Sequence, residues 1–141
     1  MNHSNSTLLA FDYGQQRIGV AVGQTLVPSA RPLCVLQSRQ QIPDWNGISR
    51  LIQEWQPYTL IVGLPLHADG TEGMMAQAAR RFARQLSGRY ALPIEMIEET
   101  LSSVAASGRQ RENAPKRRHT HLPIDAIAAQ IILETWLAEH A

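Results

Sequence analysis

The feature that most constrains the fold is a short segment that is apolar at every position. Leu8 to Phe11 reads Leu-Leu-Ala-Phe and is flanked by Thr7 and Asp12. Successive side chains of a β-strand point to opposite faces, so a strand with this sequence is apolar on both faces. Such a strand must be covered on both sides, which predicts a central position in a sheet that carries helices.

The other segments predict the partners of this strand. Ile18 to Gly23 alternates branched with tiny side chains, and the turn Asp12-Tyr13-Gly14 before it predicts a hairpin with the first strand. Asp44 can cap a helix that extends to Trp55, because apolar residues recur there at helical spacing. Three more strands and three more helices are predicted: strands at Pro32 to Leu36, Leu60 to Gly63 and Ile94 to Ile97, and helices at Met74 to Leu86, Leu101 to Ser107 and Ile124 to Glu139.

This order of elements predicts an α/β fold. Three strands in a meander, followed by alternating helices and strands, give a five-stranded mixed sheet flanked by helices. The chain of 141 residues is 44% hydrophobic, which suits one domain over residues 1–141 with a core of ordinary size. The polar residues 1–6 are expected to be disordered.

The sequence predicts a cytoplasmic protein that does not enter a membrane. The N-terminus has no apolar signal segment, and nowhere do 18 apolar residues run together. The single cysteine, Cys34, cannot form an intramolecular disulfide, and we interpret it as a small buried hydrophobic residue. This cysteine usage fits a reducing compartment.

Basic residues are concentrated just before the last predicted helix. The formal net charge is only +1, which neither requires nor excludes a nucleic-acid partner. Residues 109–118 contain five basic side chains against one acid; contact with a phosphate backbone and a solvated loop are equally weighted interpretations. The five residues are Arg109, Arg111, Lys116, Arg117 and Arg118, and the helix at 74–86 can extend the surface with Arg80, Arg81 and Arg84.

Acidic side chains lie at the edges of three apolar elements. Asp12 ends the first strand, the pair Glu98-Glu99 ends the fifth strand, and Asp125 begins the last helix. An unpaired carboxylate near a core is unfavourable, so the pattern predicts a divalent metal ion bound by oxygen ligands. Two ordinary alternatives remain: Asp12 can serve a turn, and Asp125 can complement the helix dipole.

Only one residue of the glutamate pair can face the other acids. Glu98 and Glu99 are neighbours on a strand and therefore point to opposite faces of the sheet. If one strand separates the fifth strand from the first, the ligand must span roughly 10 Å, which favours a long glutamate side chain. Asp69 and Glu72, after the fourth strand, are rival ligands, but their glycine-bearing turn favours a local role.

Five motifs, in this order, closely resemble the YqgF family, also called RuvX. They are Leu-Leu-Ala-Phe-Asp-Tyr-Gly, Arg-Ile-Gly-Val-Ala-Val-Gly, Ile-Val-Gly-Leu-Pro-Leu-His-Ala-Asp-Gly-Thr-Glu, Glu-Glu-Thr-Leu-Ser-Ser-Val-Ala-Ala and Ile-Asp-Ala-Ile-Ala-Ala-Gln-Ile-Ile-Leu-Glu. The resemblance covers nearly the whole chain. It implies a ribonuclease H-like fold, a bacterial cytoplasmic location and a nuclease linked to maturation of the 5′ end of pre-16S ribosomal RNA. Holliday junction resolvases belong to the same superfamily.

The resemblance also implies site residues. The family's acids correspond to Asp12, Glu99 and Asp125. The family commonly has Asp-Glu-Arg where this chain has Glu98-Glu99-Thr100, so the role of a cation at that position is open. The family often has a lysine just before its last-helix aspartate, where this chain has His121-Leu122-Pro123; that contact is either lost or moved to Arg118.

The predicted function is hydrolysis of a phosphodiester by water activated at one or two Mg²⁺ or Mn²⁺ ions. Asp12, Glu99 and Asp125 are both the catalytic residues and the metal ligands in this hypothesis, while the basic segment 109–118 holds the nucleic-acid backbone. The small side chains of the second strand allow close approach of another backbone or of a polymer substrate. In this hypothesis they shape the groove together with the loop Leu64 to Gly73. Pre-16S ribosomal RNA is the favoured partner.

Three other functions stay open at this point. The chain could resolve Holliday junctions in branched DNA, or it could bind RNA or the ribosome without catalysis. A kinase-like ATPase lobe shares the Asp-x-Gly strand turn, although 141 residues leave no second lobe to close over a nucleotide. Whether the protein is a monomer or a homodimer is also left open.

Overall fold

The computed structural model describes residues 6–100 and 124–140, with the side chain of Thr100 left aside. It contains five strands and three helices within these ranges. The elements are β1 (Thr7–Asp12), β2 (Arg17–Gln24), β3 (Ser29–Gln37), α1 (Trp45–Trp55), β4 (Thr59–Leu66), α2 (Met74–Tyr90), β5 (Ile94–Thr100) and α3 (Ile124–Glu139). Every element predicted inside the described ranges is confirmed, and the helix predicted at 101–107 lies outside them.

The sheet is mixed and has β1 at its centre. The strand order is β3-β2-β1-β4-β5. β1 pairs antiparallel with β2 and parallel with β4, and β5 continues the parallel part. The ends of β1, β4 and β5 therefore meet the beginning of β2 at one edge of the sheet, which we call the site edge. Ligand sites of open α/β sheets form outside such strand ends.

The two faces of β1 explain this central position. Leu9 and Phe11 pack in a core beneath α1 and α2, while Leu8 and Ala10 pack in a second core beneath α3. All four are fully buried. The sequence prediction of a strand covered on both sides is thus confirmed.

Local signals set the ends of α1. The Asp44 side chain accepts a hydrogen bond from the Gly47 backbone N–H at 3.0 Å, as expected for an N-terminal cap. Gln56 adopts a left-handed conformation with φ 49° and closes the helix just before Pro57. Proline cannot continue the helix, so the predicted stop is confirmed.

Two expectations need correction. Ser6, expected to be disordered, is buried, and its hydroxyl donates to Gln24 Oε1 at 2.6 Å. Its carbonyl also accepts from the Thr25 backbone N–H at 2.9 Å, so β-pairing fixes the chain from Ser6 onward; residues 1–5 lie outside the described ranges. Cys34 is partly buried rather than fully buried, because β3 is an edge strand.

None of the helices in the described ranges is long and apolar enough to span a bilayer.

Candidate active site

Asp12 lies at the site edge, at the end of the central strand. It shares a strand face with Leu8 and Ala10, the face that α3 covers, and it pairs with Gly19 of β2. Burial, together with the negative charge of Asp125, raises the pKa of Asp12 from its ordinary value of 3.8 to about 6. The side chain is therefore a desolvated carboxylate beside a second acid, which is not the environment of a simple turn residue.

Glu99 is the residue of the glutamate pair that faces Asp12. A Cβ atom on Gly63 of β4 would lie 2.5 Å from Glu99 Oε2, so the carboxylate lies across β4 where that strand has no side chain. Since β4 separates β1 from β5, the long side chain spans the gap as predicted. Burial and the charge of Asp12 raise the pKa of Glu99 from 4.5 to about 7.

Glu98 points the other way. It is exposed, and its charge acts on Arg80 of α2, on the opposite side of the sheet from α3. The structure thus brings Glu99, and not Glu98, toward the other acids.

Asp125 reaches the site because α3 packs directly on β2. A Cβ atom on Gly19 would overlap the backbone carbonyl of Asp125, so the helix can start here only against a residue without a side chain. Gly23, further along the same face, touches the Leu133 side chain of α3. The small residues of β2 therefore receive a helix, and the expectation that they shape a groove for nucleic acid is wrong: this face is already covered.

Arg17 is a site residue that the sequence analysis did not single out. Its Nε donates to Asp125 Oδ2 at 3.0 Å. Arg17 is the first residue of β2, two positions from Gly19, and therefore lies on the strand face of Asp12 and α3. The Arg-Ile-Gly motif shows this alternation in the sequence. The sequence does not show the partner of Arg17, which comes from a helix more than 100 residues away.

The three acids gather at one edge without forming a complete metal cage. Within the described ranges, no group of three His, Cys, Asp or Glu side chains is close enough to hold a metal ion. The charge of Asp125 opposes ionisation of Asp12, and the charge of Asp12 opposes ionisation of Glu99; neither Asp12 nor Glu99 has a cationic partner among the described residues. Two partly buried carboxylates that lack a counter-charge fit a hard divalent cation.

The rival acids have local roles. Asp69 Oδ1 accepts from the backbone N–H and the hydroxyl of Thr71, at 3.0 Å and 2.7 Å, which is a turn arrangement. Glu72 pairs with Arg80 through two hydrogen bonds, the shorter at 2.6 Å. The interpretation as a turn residue is confirmed for Asp69, whereas the Glu72 side chain pairs with Arg80 of α2.

The predicted nucleic-acid-binding residues lie outside the described ranges. They are Arg109, Arg111, Lys116, Arg117 and Arg118. Their segment, 101–123, joins β5 to α3, and both of these elements have an end at the site edge.

The raised pKa values of Asp12 and Glu99 predict that the metal-free protein is less stable at high pH. Between the ordinary values, 3.8 and 4.5, and the folded values, about 6 and about 7, the folded state binds more protons than the unfolded state. The free energy of unfolding therefore falls as the pH rises through this window. We expect a loss on the order of 4 kcal/mol between about pH 5 and pH 8, measured by urea unfolding with a chelator present.

A control separates these two acids from other titrating groups. The double variant Asp12→Asn with Glu99→Gln should lose most of this pH dependence, and Mg²⁺ should restore stability to the unmodified protein at the higher pH. Equal pH dependence in the two proteins would contradict the prediction.

Comparison with known proteins identifies the family. A sequence profile of the RuvX family, described as Holliday junction resolvase, matches residues 6–139. The chain belongs to the RuvX family. It is 47% identical over 133 residues to a protein of Pseudomonas paraeruginosa named "Putative pre-16S rRNA nuclease", with 94% of this chain and 92% of the relative covered. Proteins with the same name in Azotobacter vinelandii and Saccharophagus degradans are 46% and 42% identical, with at least 93% of every chain covered.

Solved structures confirm the fold expected for a RuvX protein. T. thermophilus RuvC, in complex with a Holliday junction substrate, superposes with a TM-score of 0.56 at 15% identity over 96% of both chains. The fowlpox virus Holliday junction resolvase gives a TM-score of 0.54 at 14% identity, over 96% of this chain and 99% of that one. The fold is therefore ribonuclease H-like, as the resemblance implied, and the RuvX chain is a nuclease, a hydrolase of phosphodiester bonds.

Proposed function

We propose that this RuvX protein is a metal-dependent endonuclease that cuts precursor 16S ribosomal RNA during maturation of its 5′ end, in the cytoplasm. The observation that carries the proposal is the series of partly buried carboxylates at the site edge: burial and the charge of Asp125 raise the pKa of Asp12, and burial and the charge of Asp12 raise the pKa of Glu99. A divalent cation would relieve this cost and is the cofactor that phosphodiester hydrolysis commonly uses.

Asp12 and Glu99 would hold Mg²⁺ or Mn²⁺, with Asp125 as a third ligand. When bound, such an ion lowers the pKa of water to make a nucleophile and stabilises the leaving oxygen. The carboxylates must stay ionised for this role, so metal binding is expected to strengthen as the pH rises through about 6 to 7, the folded pKa values of Asp12 and Glu99.

The choice of substrate is supported by the relatives. Proteins 42% to 47% identical carry a name that specifies pre-16S ribosomal RNA. The basic residues of segment 109–118 would contact the phosphate backbone, which predicts an affinity that falls as salt rises.

A second candidate is resolution of four-way DNA junctions. It is favoured by the description of the family as Holliday junction resolvase. The solved resolvases share only 14% to 15% identity with this chain, so the comparison with them supports the fold and not the substrate.

Direct cleavage assays test both candidates. The purified protein would be incubated with end-labelled pre-16S RNA and, separately, with a four-way DNA junction, each with Mg²⁺, Mn²⁺ or chelator. Cleavage of the RNA that requires metal is the expected result. Metal-dependent cleavage of the junction alone would move the assignment to a resolvase, and binding without cleavage would indicate a non-catalytic RNA-binding protein.

The glutamate pair supplies a matched test of the site. Glu99→Gln is expected to reduce metal-dependent cleavage strongly, by about a hundredfold or more, because it removes a ligand charge. Glu98→Gln makes the same chemical change one residue away, on the opposite face of β5, and should leave cleavage within about twofold of the unmodified protein. Initial rates at saturating Mg²⁺ measure the difference. Equal losses in the two variants would count against Glu99 as a ligand.

A further inference from the structure

The ion pair between Arg17 and Asp125 is the only contact, in the described part of the chain, between a site acid and a cationic side chain. Arg17 Nε donates to Asp125 Oδ2 at 3.0 Å. The two side chains are 51% and 39% exposed. Exposed ion pairs contribute little to folding because water and salt screen them, so this pair is easily exchanged.

The position of Arg17 follows from the register of the β1–β2 hairpin. Asp12 pairs with Gly19, and Arg17 lies two residues closer to the turn, on the same face and at the site edge. Its guanidinium is therefore at the rim of the site, partly in solvent, while Asp12 and Glu99 lie deeper. A side chain at this rim would be among the first groups that an approaching polymer meets.

The contact sets up a competition for one carboxylate. Asp125 Oδ2 accepts the guanidinium N–H, and a divalent cation would take its oxygen ligands from the same carboxylate. Positive ions repel each other, so a metal ion on Asp125 would displace Arg17.

We propose that Arg17 is an exchangeable counter-ion. It neutralises Asp125 while metal is absent; when metal binds, it releases Asp125 and turns to a phosphate of the nucleic acid. The inference rests on the proposed metal-dependent nuclease function.

The charge balance favours this exchange. When all three site carboxylates are ionised, they carry a charge of −3. One divalent ion reduces the charge that faces Arg17 from −3 to −1, so the attraction that holds the guanidinium weakens and an incoming phosphate can compete for it. Its planar fork binds phosphate oxygens in pairs, which an ammonium group cannot do.

Metal binding without nucleic acid gives the first test. Titration calorimetry with Mn²⁺ would compare the unmodified protein with Arg17→Gln, Arg17→Lys and the control Arg50→Gln, an exposed arginine of α1 on the far side of the sheet. Removing the competitor should tighten Mn²⁺ binding by about two- to fivefold in Arg17→Gln, the range expected for an exposed ion pair. The Mn²⁺ affinity of Arg17→Lys, which keeps the charge, should lie between those of the unmodified protein and Arg17→Gln. The affinity of Arg50→Gln should equal that of the unmodified protein.

Cleavage kinetics at saturating Mn²⁺ give the second test. Arg17→Gln should lower kcat/KM by about tenfold through lost phosphate contact, despite its tighter metal binding. Opposite changes in metal affinity and activity are the signature of the exchange. Unchanged or weaker Mn²⁺ binding in Arg17→Gln would overturn the inference, because a purely structural pair that orients Asp125 predicts that result.

The two proposals fail in different ways. If the unmodified protein cleaves no substrate but Arg17→Gln still binds Mn²⁺ more tightly, the nuclease proposal falls and the competition at Asp125 stands. If cleavage is metal-dependent and Arg17→Gln binds Mn²⁺ like the unmodified protein, the counter-ion proposal falls alone. Thermal unfolding checks that the variants are folded. If Arg17→Gln is unstable, Arg17→Lys replaces it in the comparison with the unmodified protein.

Discussion

Asp12→Asn is expected to lower metal-dependent cleavage by about 10³-fold or more while leaving the protein folded. The substitution keeps the size and shape of the side chain and removes the charge that would hold the metal ion. A metal ion that stabilises transition-state charge is worth several kcal/mol, and each 1.36 kcal/mol corresponds to a factor of ten in rate. Single-turnover cleavage with Mg²⁺ or Mn²⁺ measures the loss.

The same variant should be more stable than the unmodified protein at high pH in the absence of metal. Ionised Asp12 is buried beside Asp125, which is why its pKa is about 6. Above that pH the charge destabilises the folded state, and asparagine removes it, for a gain on the order of 2 kcal/mol. Below about pH 4 both states of the unmodified protein are protonated, and the gain should vanish.

Stability and activity together separate a functional Asp12 from a structural one. A residue retained for catalysis can be removed with a gain in stability, whereas a structural turn residue cannot. Loss of folded protein in Asp12→Asn, seen by circular dichroism, would show that the aspartate supports the turn. Full activity in a folded variant would remove Asp12 from the metal site.

Gly19→Ala is expected to destabilise the protein by about 3 kcal/mol or more. The new methyl group would overlap the backbone carbonyl of Asp125 and crowd the backbone N of Ala126. Neither backbone atom can rotate away, so α3 would have to move off the sheet. That shift would also carry Asp125 away from Asp12, and cleavage should fall with stability. Urea unfolding at fixed pH measures the first effect.

Gly88→Ala is the matched control for that substitution. Gly88 lies within α2, and a Cβ atom there would meet nothing within 4 Å. Alanine in a helix interior is more favourable than glycine, so stability should rise by roughly 0.5 to 1 kcal/mol. A loss in Gly19→Ala that was no larger than the change in Gly88→Ala would show that α3 can adjust its contact with β2.

Much of the fold could be predicted because short-range patterns dictate it. The apolar run from Leu8 to Phe11 required cover on both faces, and the central position of β1 confirms it. Asp44 and Pro57 set the ends of α1 through backbone chemistry that is local. Cys34 was less well predicted, since its burial depends on β3 being an edge strand, which a strand pattern does not reveal.

The candidate site was predictable in part for the same reason. The end of an apolar strand and the start of an apolar helix mark Asp12 and Asp125 in the sequence itself. Strand alternation also predicted that the side chains of Glu98 and Glu99 point to opposite faces of the sheet. The distance across the intervening strand favoured a long glutamate side chain as the ligand. Only the family resemblance implied that Glu99, rather than Glu98, faces the other acids. Strand alternation places the two side chains on opposite faces of the sheet, but it does not reveal which face α3 covers.

The secondary-structure elements, the central strand and the acids at the element ends follow from the local pattern of side chains along the chain. Three features of the site depend on long-range packing: the bare face of β2 contacts α3 rather than nucleic acid, the Glu99 side chain crosses Gly63, and Arg17 pairs with Asp125. Each of these is a contact between segments far apart in the chain. The sequence gives the chemical type of each contacting residue, but the packing of the helix on the sheet sets the distance between them.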